Sequence, residues 1–206
     1  MEIVKHPFGE YATNAYLLKF GDFEFVVDPG YGSTEWILSH SSNLQAILIT
    51  HGHFDHIWDT ALLHQKTHAR IYCPKQDAFM LESDCFHLGL TPCKADTYIE
   101  NNESTISLSI KGVDVHYWHF PGHTPGCSMI EIENCFFSGD FIFHNSIGRC
   151  DFPYSDVDSM KHSLRRFLKI DRDLEIYPGH GKNTMVKAEQ QRIPAWIRYL
   201  DSELRS

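Results

Sequence analysis

Four side chains able to ligate a metal fall within the segment Thr50-His51-Gly52-His53-Phe54-Asp55-His56, namely His51, His53, Asp55 and His56. Imidazole nitrogens and a carboxylate suit Zn²⁺, Fe²⁺ or Mn²⁺. Gly52 lets the backbone bend tightly between the first two of them. A catalytic site draws its ligands from several segments, and three more candidates follow downstream, each behind a glycine. They are His123 in Pro121-Gly122-His123-Thr124-Pro125-Gly126, Asp140 in Ser138-Gly139-Asp140, and His180 in Tyr177-Pro178-Gly179-His180-Gly181. A glycine before each ligand permits close backbone approach to a crowded centre. The chain holds 14 histidines against 18 lysines and arginines, which is reason to look for a metal. Only five of the 14 stand at these positions, so spacing and not abundance carries the reading.

The remaining composition narrows the classes of partner. With 206 residues, 42% of them hydrophobic, the chain is long enough for one well-buried core. A net charge of −9 with no basic run argues against nucleic acid and against an anionic membrane surface. No apolar run approaches the ~18 residues of a transmembrane helix, and Met1–Tyr11 lacks the apolar centre of a signal peptide. The six cysteines form no C-x-x-C, so free thiols in a reducing cytoplasm are the expectation.

These residues need elements to position them. Ala15–Phe20 and Phe23–Asp28 read as a hairpin turning at Gly21-Asp22. Thr34–Ser41 follows as a short helix. Leu44–Thr50 is a continuous apolar run, the pattern of a strand buried on both faces, and it delivers the His51 segment as a loop at its end. A helix at Trp58–Lys66, a strand at Arg70–Cys73 and a helix around Lys75–Glu82 come next. Residues 84–103 read as a long loop facing substrate. Paired strands return at Ser104–Ile110 with Val113–Phe120, and at Ser128–Ile132 with Cys135–Ser138. After a second long connection at 141–155 come a helix over Asp156–Lys169, a strand at Leu174–Tyr177 and a helical C-terminal stretch punctuated by Pro194. Hairpins at both ends of a strand–helix alternation imply a mixed α/β sandwich.

The H-x-H-x-D-H signature followed by G-H, G-D and G-H resembles the metallo-β-lactamase-fold hydrolases, from His51 to His180 and across the whole chain. The resemblance implies an α/β fold, an αβ/βα four-layer sandwich formed as a single domain over 1–206, with the metal site at one edge between the sheets. It implies that His51, His53 and His123 bind one divalent ion, that Asp55, His56 and His180 bind a second, and that Asp140 bridges them. Zinc is the first choice, with iron or manganese as alternatives. Two such ions can share a hydroxide and clamp the attacked carbonyl and the leaving atom, with water acidified to a pKa of about 7. Asp55 would hold that hydroxide and accept its proton. Asp28 and Thr50 are candidates to orient the ligand imidazoles.

Ser146-Ile147-Gly148-Arg149-Cys150-Asp151-Phe152-Pro153 resembles the G-R-x-D-F segment of small glyoxalase II-like proteins and of persulfide dioxygenases. Both handle thiol-linked substrates. Arg149 is the candidate anchor for a substrate carboxylate, against the alternative of a salt bridge with Asp151. Cys150 reads as a packed thiol. Trp58, Phe86 and Tyr154 are candidates to line the pocket. Two activities follow from the resemblance. One is hydrolysis of a small-molecule thioester, S-acylglutathione or a related thiol ester; the other is a mononuclear iron persulfide dioxygenase using His51, His123 and Asp140. The complete second set of ligands favours hydrolysis.

Overall fold

Strands that are apolar on both faces must be covered on both, and the computed structural model shows how this chain does it. It describes residues 1–203 except 101 and 103, so those two positions of the 84–103 segment and the last three of the C-terminal stretch lie outside the described residues. The first sheet contains β1 (Glu2–Phe8), β2 (Thr13–Lys19), β3 (Glu24–Val27), β4 (Leu44–Leu48), β5 (Arg70–Pro74) and β6 (Thr97–Ile99), in that spatial order. Its first three strands are antiparallel, and β3 to β6 run parallel. The helices α1 (Thr34–His40), α2 (Phe54–Ile57), α3 (Thr60–Thr67) and α4 (Ala78–Glu82) fill the connections.

The second sheet gathers β7 (Thr105–Ile110), β8 (Val113–His119), β9 (Ser128–Ile132) and β10 (Cys135–Gly139). A small separate hairpin, β11 (Ile142–Phe143) with β12 (Ser146–Ile147), and helix α5 (Val157–Phe167) follow. Then β13 (Glu175–Pro178) pairs parallel to β10, and β14 (Thr184–Met185) closes that edge, before α6 (Val186–Gln190) and α7 (Ile193–Glu203).

Alternation along the strands sorts the core into three apolar layers. Tyr16, Leu18, Phe25, Val27 and Leu48 of the first sheet meet Val115, Tyr117, Ile130 and Phe137 of the second. Leu17, Val26, Ile47 and Ile71, one residue out of step, face outward onto Ile37, Ile57, Leu63 and Leu81 of the first four helices. On the far side Met129, Phe136 and Ile176 pack against Met160, Leu164 and Phe167 of α5 and against Val186, Ile193 and Leu200. The result is the α–β–β–α sandwich expected from the sequence. Each of the fully buried side chains contributes about 1.5–3 kcal/mol by leaving water.

One strand lies outside the sequence reading, and two local expectations need correction. The edge strand β1 carries no apolar alternation, because Lys5, His6 and Pro7 are exposed, and sequence patterning does not find it. The helix expected at Trp58–Lys66 is α3, starting at Thr60, and a separate one-turn α2 precedes it, so Asp55 and His56 sit in a helix and not in a loop. The two expected loops hold short strands, β6 within 84–103 and the β11–β12 hairpin within 141–155. In α7, Pro194 occupies the first turn, where its missing N–H costs nothing.

Candidate metal centre

Strands β3, β4, β8, β10 and β13 all end at one edge of the sandwich, and each passes a polar residue to it: Asp28, His51 with His53, His123, Asp140 and His180. Backbone bonds close the two sheets together there, Ser128 N–H to Thr50 O at 3.0 Å and Asn14 N–H to Gly179 O at 2.7 Å. All seven residues singled out as metal ligands come together at this edge.

They fall into two sets. Donor atoms of His51, His53 and His123 lie within 4.8 Å of one another, and so do those of Asp55, His56 and His180. Asp140 touches both. Its Oδ2 is 3.5 Å from His123 Nε2 and 3.3 Å from His180 Nε2, and its Oδ1 is 3.2 Å from His56 Nε2. The tightness depends on glycine at two points. A Cβ on Gly179 would collide with Asp140 Oδ1 and lie 2.6 Å from His56 Cε1. One on Gly139, whose φ is +48°, would collide with Thr50 Oγ1.

The partners of the far ring nitrogens settle which nitrogens face inward. Asp28 accepts from Thr50 N–H at 2.8 Å, from Thr50 Oγ1–H at 2.6 Å and from His56 Nδ1 at 2.9 Å. Thr50 Oγ1, having donated to Asp28, accepts from His51 Nδ1 at 3.0 Å. His123 Nδ1 donates to Arg149 O at 2.8 Å, and His180 Nδ1 to Tyr11 O at 2.9 Å. Four imidazoles therefore present Nε2 to the centre, each fixed in that tautomer by its outer bond. Asp28 and Thr50 are the orienting pair expected from the sequence. With both Asp28 oxygens occupied, its own grouping with His51 and His56 is structural.

Electrostatics divides the sets. Burial pushes His51 well below its ordinary pKa and His53 down to about 3, with the neighbouring imidazoles adding to the shift. Burial lowers His123 as well, against the pull of Asp140. For His56 burial also opposes the charge, but Asp140 and Asp55 override it and hold the imidazole well above its usual value. His180 rises to about 9, where hydrogen bonds to Asp140 and Asp55 overcome burial. Reciprocally, Asp55 is brought down to about 2 and Asp140 well below the carboxylate range, against burial, with His56 the strongest opposing influence on each.

A cation fits this donor set. His51 Nε2, His56 Nε2 and Asp140 Oδ1 are buried without a hydrogen-bond partner, a costly state that a metal ion would relieve. His123 Nε2, whose ring proton is committed at Nδ1 to Arg149 O, accepts from His53 Nδ1 at 2.8 Å, a proton that a cation bound by both nitrogens would replace.

Sequence reasoning missed the supports. Asp77, fully buried, accepts from Gly52 N–H at 2.8 Å, Gly126 N–H at 2.5 Å and Thr124 Oγ1–H at 2.6 Å. It clasps the loop of His51 and His53 to the loop of His123. Asn14 Nδ2 donates to Pro178 O at 2.9 Å and Gly181 O at 3.0 Å, and Tyr16 OH to Pro178 O at 2.5 Å, which pins the His180 turn. Thr13 Oγ1 donates to Asp55 Oδ2 at 2.7 Å. Chain separations of 25 to 167 residues leave no local pattern for any of these bonds.

Above the centre opens a cleft of about 530 Å³ floored by His53, Asp55, His123, Asp140 and His180. Arg149 stands on its rim, 65% exposed, with its guanidinium bidentate on Asp151 at 2.8 and 2.6 Å and stacked over Phe152. Phe86 lines the cleft as expected, whereas Trp58 lines an adjoining cavity and Tyr154 packs against Phe79 and Phe86. Cys150 is half-buried against the α5 side of the core, and none of the six cysteines is in a disulfide.

Comparison with known proteins bears on this arrangement. The family model described as the Metallo-beta-lactamase superfamily matches residues 8–180. The hydroxyacylglutathione hydrolase GloC of Haemophilus influenzae is 32% identical over 183 residues, covering 82% of this chain and 85% of that protein. The crystal structure of the BLEG-1 B3 metallo-beta-lactamase superposes with a TM-score of 0.83 at 28% identity, covering 95% of this chain and 99% of that one. That of TTHA1623 in a di-iron-bound form superposes at 0.74, also at 28% identity, covering 90% and 96%.

Proposed function

The chain belongs to the metallo-beta-lactamase superfamily, and from that premise we propose that it is a metal-dependent hydrolase cleaving a small-molecule thioester. In this reading His51, His53 and His123 hold one divalent ion and Asp55, His56 and His180 a second, with Asp140 between them; zinc is the first candidate. One observation carries the two-ion reading: a single buried carboxylate, Asp140, reaches histidines of both sets. Bound ions would supply an acidified water as nucleophile and a Lewis acid for the carbonyl.

The chain's own groups do the rest. Asp55 faces the cleft with Oδ2 fixed by Thr13, placed to hold the attacking water by a hydrogen bond and to accept its proton. Hydrolysis adds the water oxygen to the acyl carbon, breaks the C–S bond and releases a carboxylate and a thiol. Arg149 is the candidate contact for a substrate carboxylate, after leaving Asp151. The similarity to a hydroxyacylglutathione hydrolase supports the thioester class. A cytoplasmic setting belongs to the same proposal. No helix among the described residues is long and apolar enough to cross a membrane.

The test is metal analysis of protein purified without added metal, paired with thiol release from S-lactoylglutathione and S-benzyl thioacetate. Two ions per chain and thiol release abolished by chelation are expected. A single iron with oxygen uptake on glutathione persulfide, and no thioester cleavage, overturns the proposal in favour of the dioxygenase.

A further inference from the structure

Resting on that thioester reading, we infer that the substrate carries an uncharged, aromatic-sized apolar group, and that glutathione is not the preferred thiol. The walls of the cleft are rings: Tyr11, Phe54, Phe86, Phe143 and Phe152 come from five separate segments and surround the ligand histidines. Phe86 and Phe152 each lie edge-on to His53, both at 5.8 Å, and Phe143 is 5.9 Å from His180. Such rings offer a substrate large apolar contacts and edge-to-face partners, but few hydrogen bonds.

A second cavity of about 270 Å³ adjoins the first and shares Tyr11, Phe54 and Asp55 with it. Its remaining wall includes Phe8, Tyr31, Trp58 and Leu88. Tyr31 meets Trp58 edge-on at 5.1 Å, and Phe54 stands 6.4 Å from Trp58. The annex therefore continues the aromatic lining away from the centre, beside the carboxylate placed to position water.

Charge points the same way. Among the described residues lining the two cavities, Arg149 is the one lysine or arginine, and it is already engaged by Asp151. A glutathione thioester brings two carboxylates and one ammonium. Away from the metal floor, where the acyl carbonyl would sit, the walls offer its two anions one neutralised guanidinium, while Glu10 stands in the annex wall and the whole chain carries −9. An uncharged aryl or arylalkyl group meets no such mismatch.

The experiment holds the acyl group constant and varies the thiol: kcat/KM for S-benzyl thioacetate against S-acetylglutathione, with the metal-loaded protein. A preference of at least about tenfold for the benzyl thioester is expected, the scale of one well-filled apolar subsite. Equal rates, or preference for S-acetylglutathione, overturn this inference and leave the thioester reading standing. Metal-dependent cleavage of neither ester overturns both. A second measurement locates the group. Tyr31 is 57% exposed, so Tyr31→Ala spares the core, and it should cut the benzyl preference at least threefold. An unchanged ratio overturns the annex as the seat of the ring.

Discussion

His51, His53 and His123 are all buried and offer nitrogen alone, whereas Asp55, His56 and His180 include a carboxylate and leave the His180 side chain 28% exposed. The first set is held neutral by burial, its lone pairs ready. In the second, the pull of Asp140 and Asp55 raises the proton affinity of His56 and His180, so protons compete with a metal entering there. Their supports differ as well. The nitrogen set is backed by Thr50, the Asp77 clasp and the Arg149 carbonyl, and Asp28 is shared, bonded to Thr50 on one side and to His56 of the other set on the other. His180 and Asp55, by contrast, are positioned from the end of the β1–β2 connection and the start of β2, through Tyr11 O, Thr13 and Asn14. One set is thus built wholly into the interior, whereas the other joins the buried His56 to Asp55 and His180 at the cleft's floor. This difference predicts that the nitrogen set retains its ion when the other loses it.

The largest effect tests whether the two sets are joined at all. Asp140→Asn replaces the shared carboxylate with a neutral amide whose NH₂ would face protonated or metal-seeking imidazoles. Metal content should fall below one ion per chain, and thioester cleavage by about 10³-fold or more. Two retained ions with near wild-type turnover would break the picture of a shared centre. His180→Ala separates the sets. Metal analysis should find one ion per chain, and turnover should drop about 10²-fold with the fold unchanged by circular dichroism. Loss of both ions would show that the nitrogen set has no independent hold.

How much of this could be read from the chain follows from where each signal resides. The ligands are legible because the chemistry demands rare residue types at strand ends, and glycines mark the crowding; Gly139 and Gly179 do collide with neighbours if given a Cβ. The buried strand β4 is legible because an apolar run has few alternatives. Strand β1 is not, since an edge strand satisfies its exposed face with water and needs no alternation. Neither is α2, whose one turn is too short for periodicity and is dictated by the ligands it presents. Asp77 is the clearest omission. Its role exists only when loops 25 and 49 residues away fold onto it, and an aspartate in the first turn of a helix reads as ordinary helix-terminus chemistry.

Asp77 also sharpens the comparison between the sets. An asparagine in its place turns an NH₂ toward backbone N–H donors, leaving buried groups unpaired at about 1–3 kcal/mol. Asp77→Asn should weaken the tighter ion by about 10- to 100-fold in competition with a chromogenic chelator, and change the weaker one little. Equal weakening of both would mean that the clasp stabilises the fold as a whole and not one set of ligands.

The smallest effect lies at the rim, where Arg149 divides its labour between backbone and side chain. Its carbonyl fixes His123, while its guanidinium is spent on Asp151 in an exposed pair worth only about 0.2–1 kcal/mol. Asp151→Asn should therefore leave both ions in place, because the nitrogen set depends on the carbonyl. The released guanidinium should raise kcat/KM for S-acetylglutathione by roughly threefold, the factor that ~0.6 kcal/mol corresponds to, and leave S-benzyl thioacetate unchanged. A fall in metal affinity would instead tie the buried set to a surface ion pair, contrary to the burial that separates the two halves of the centre.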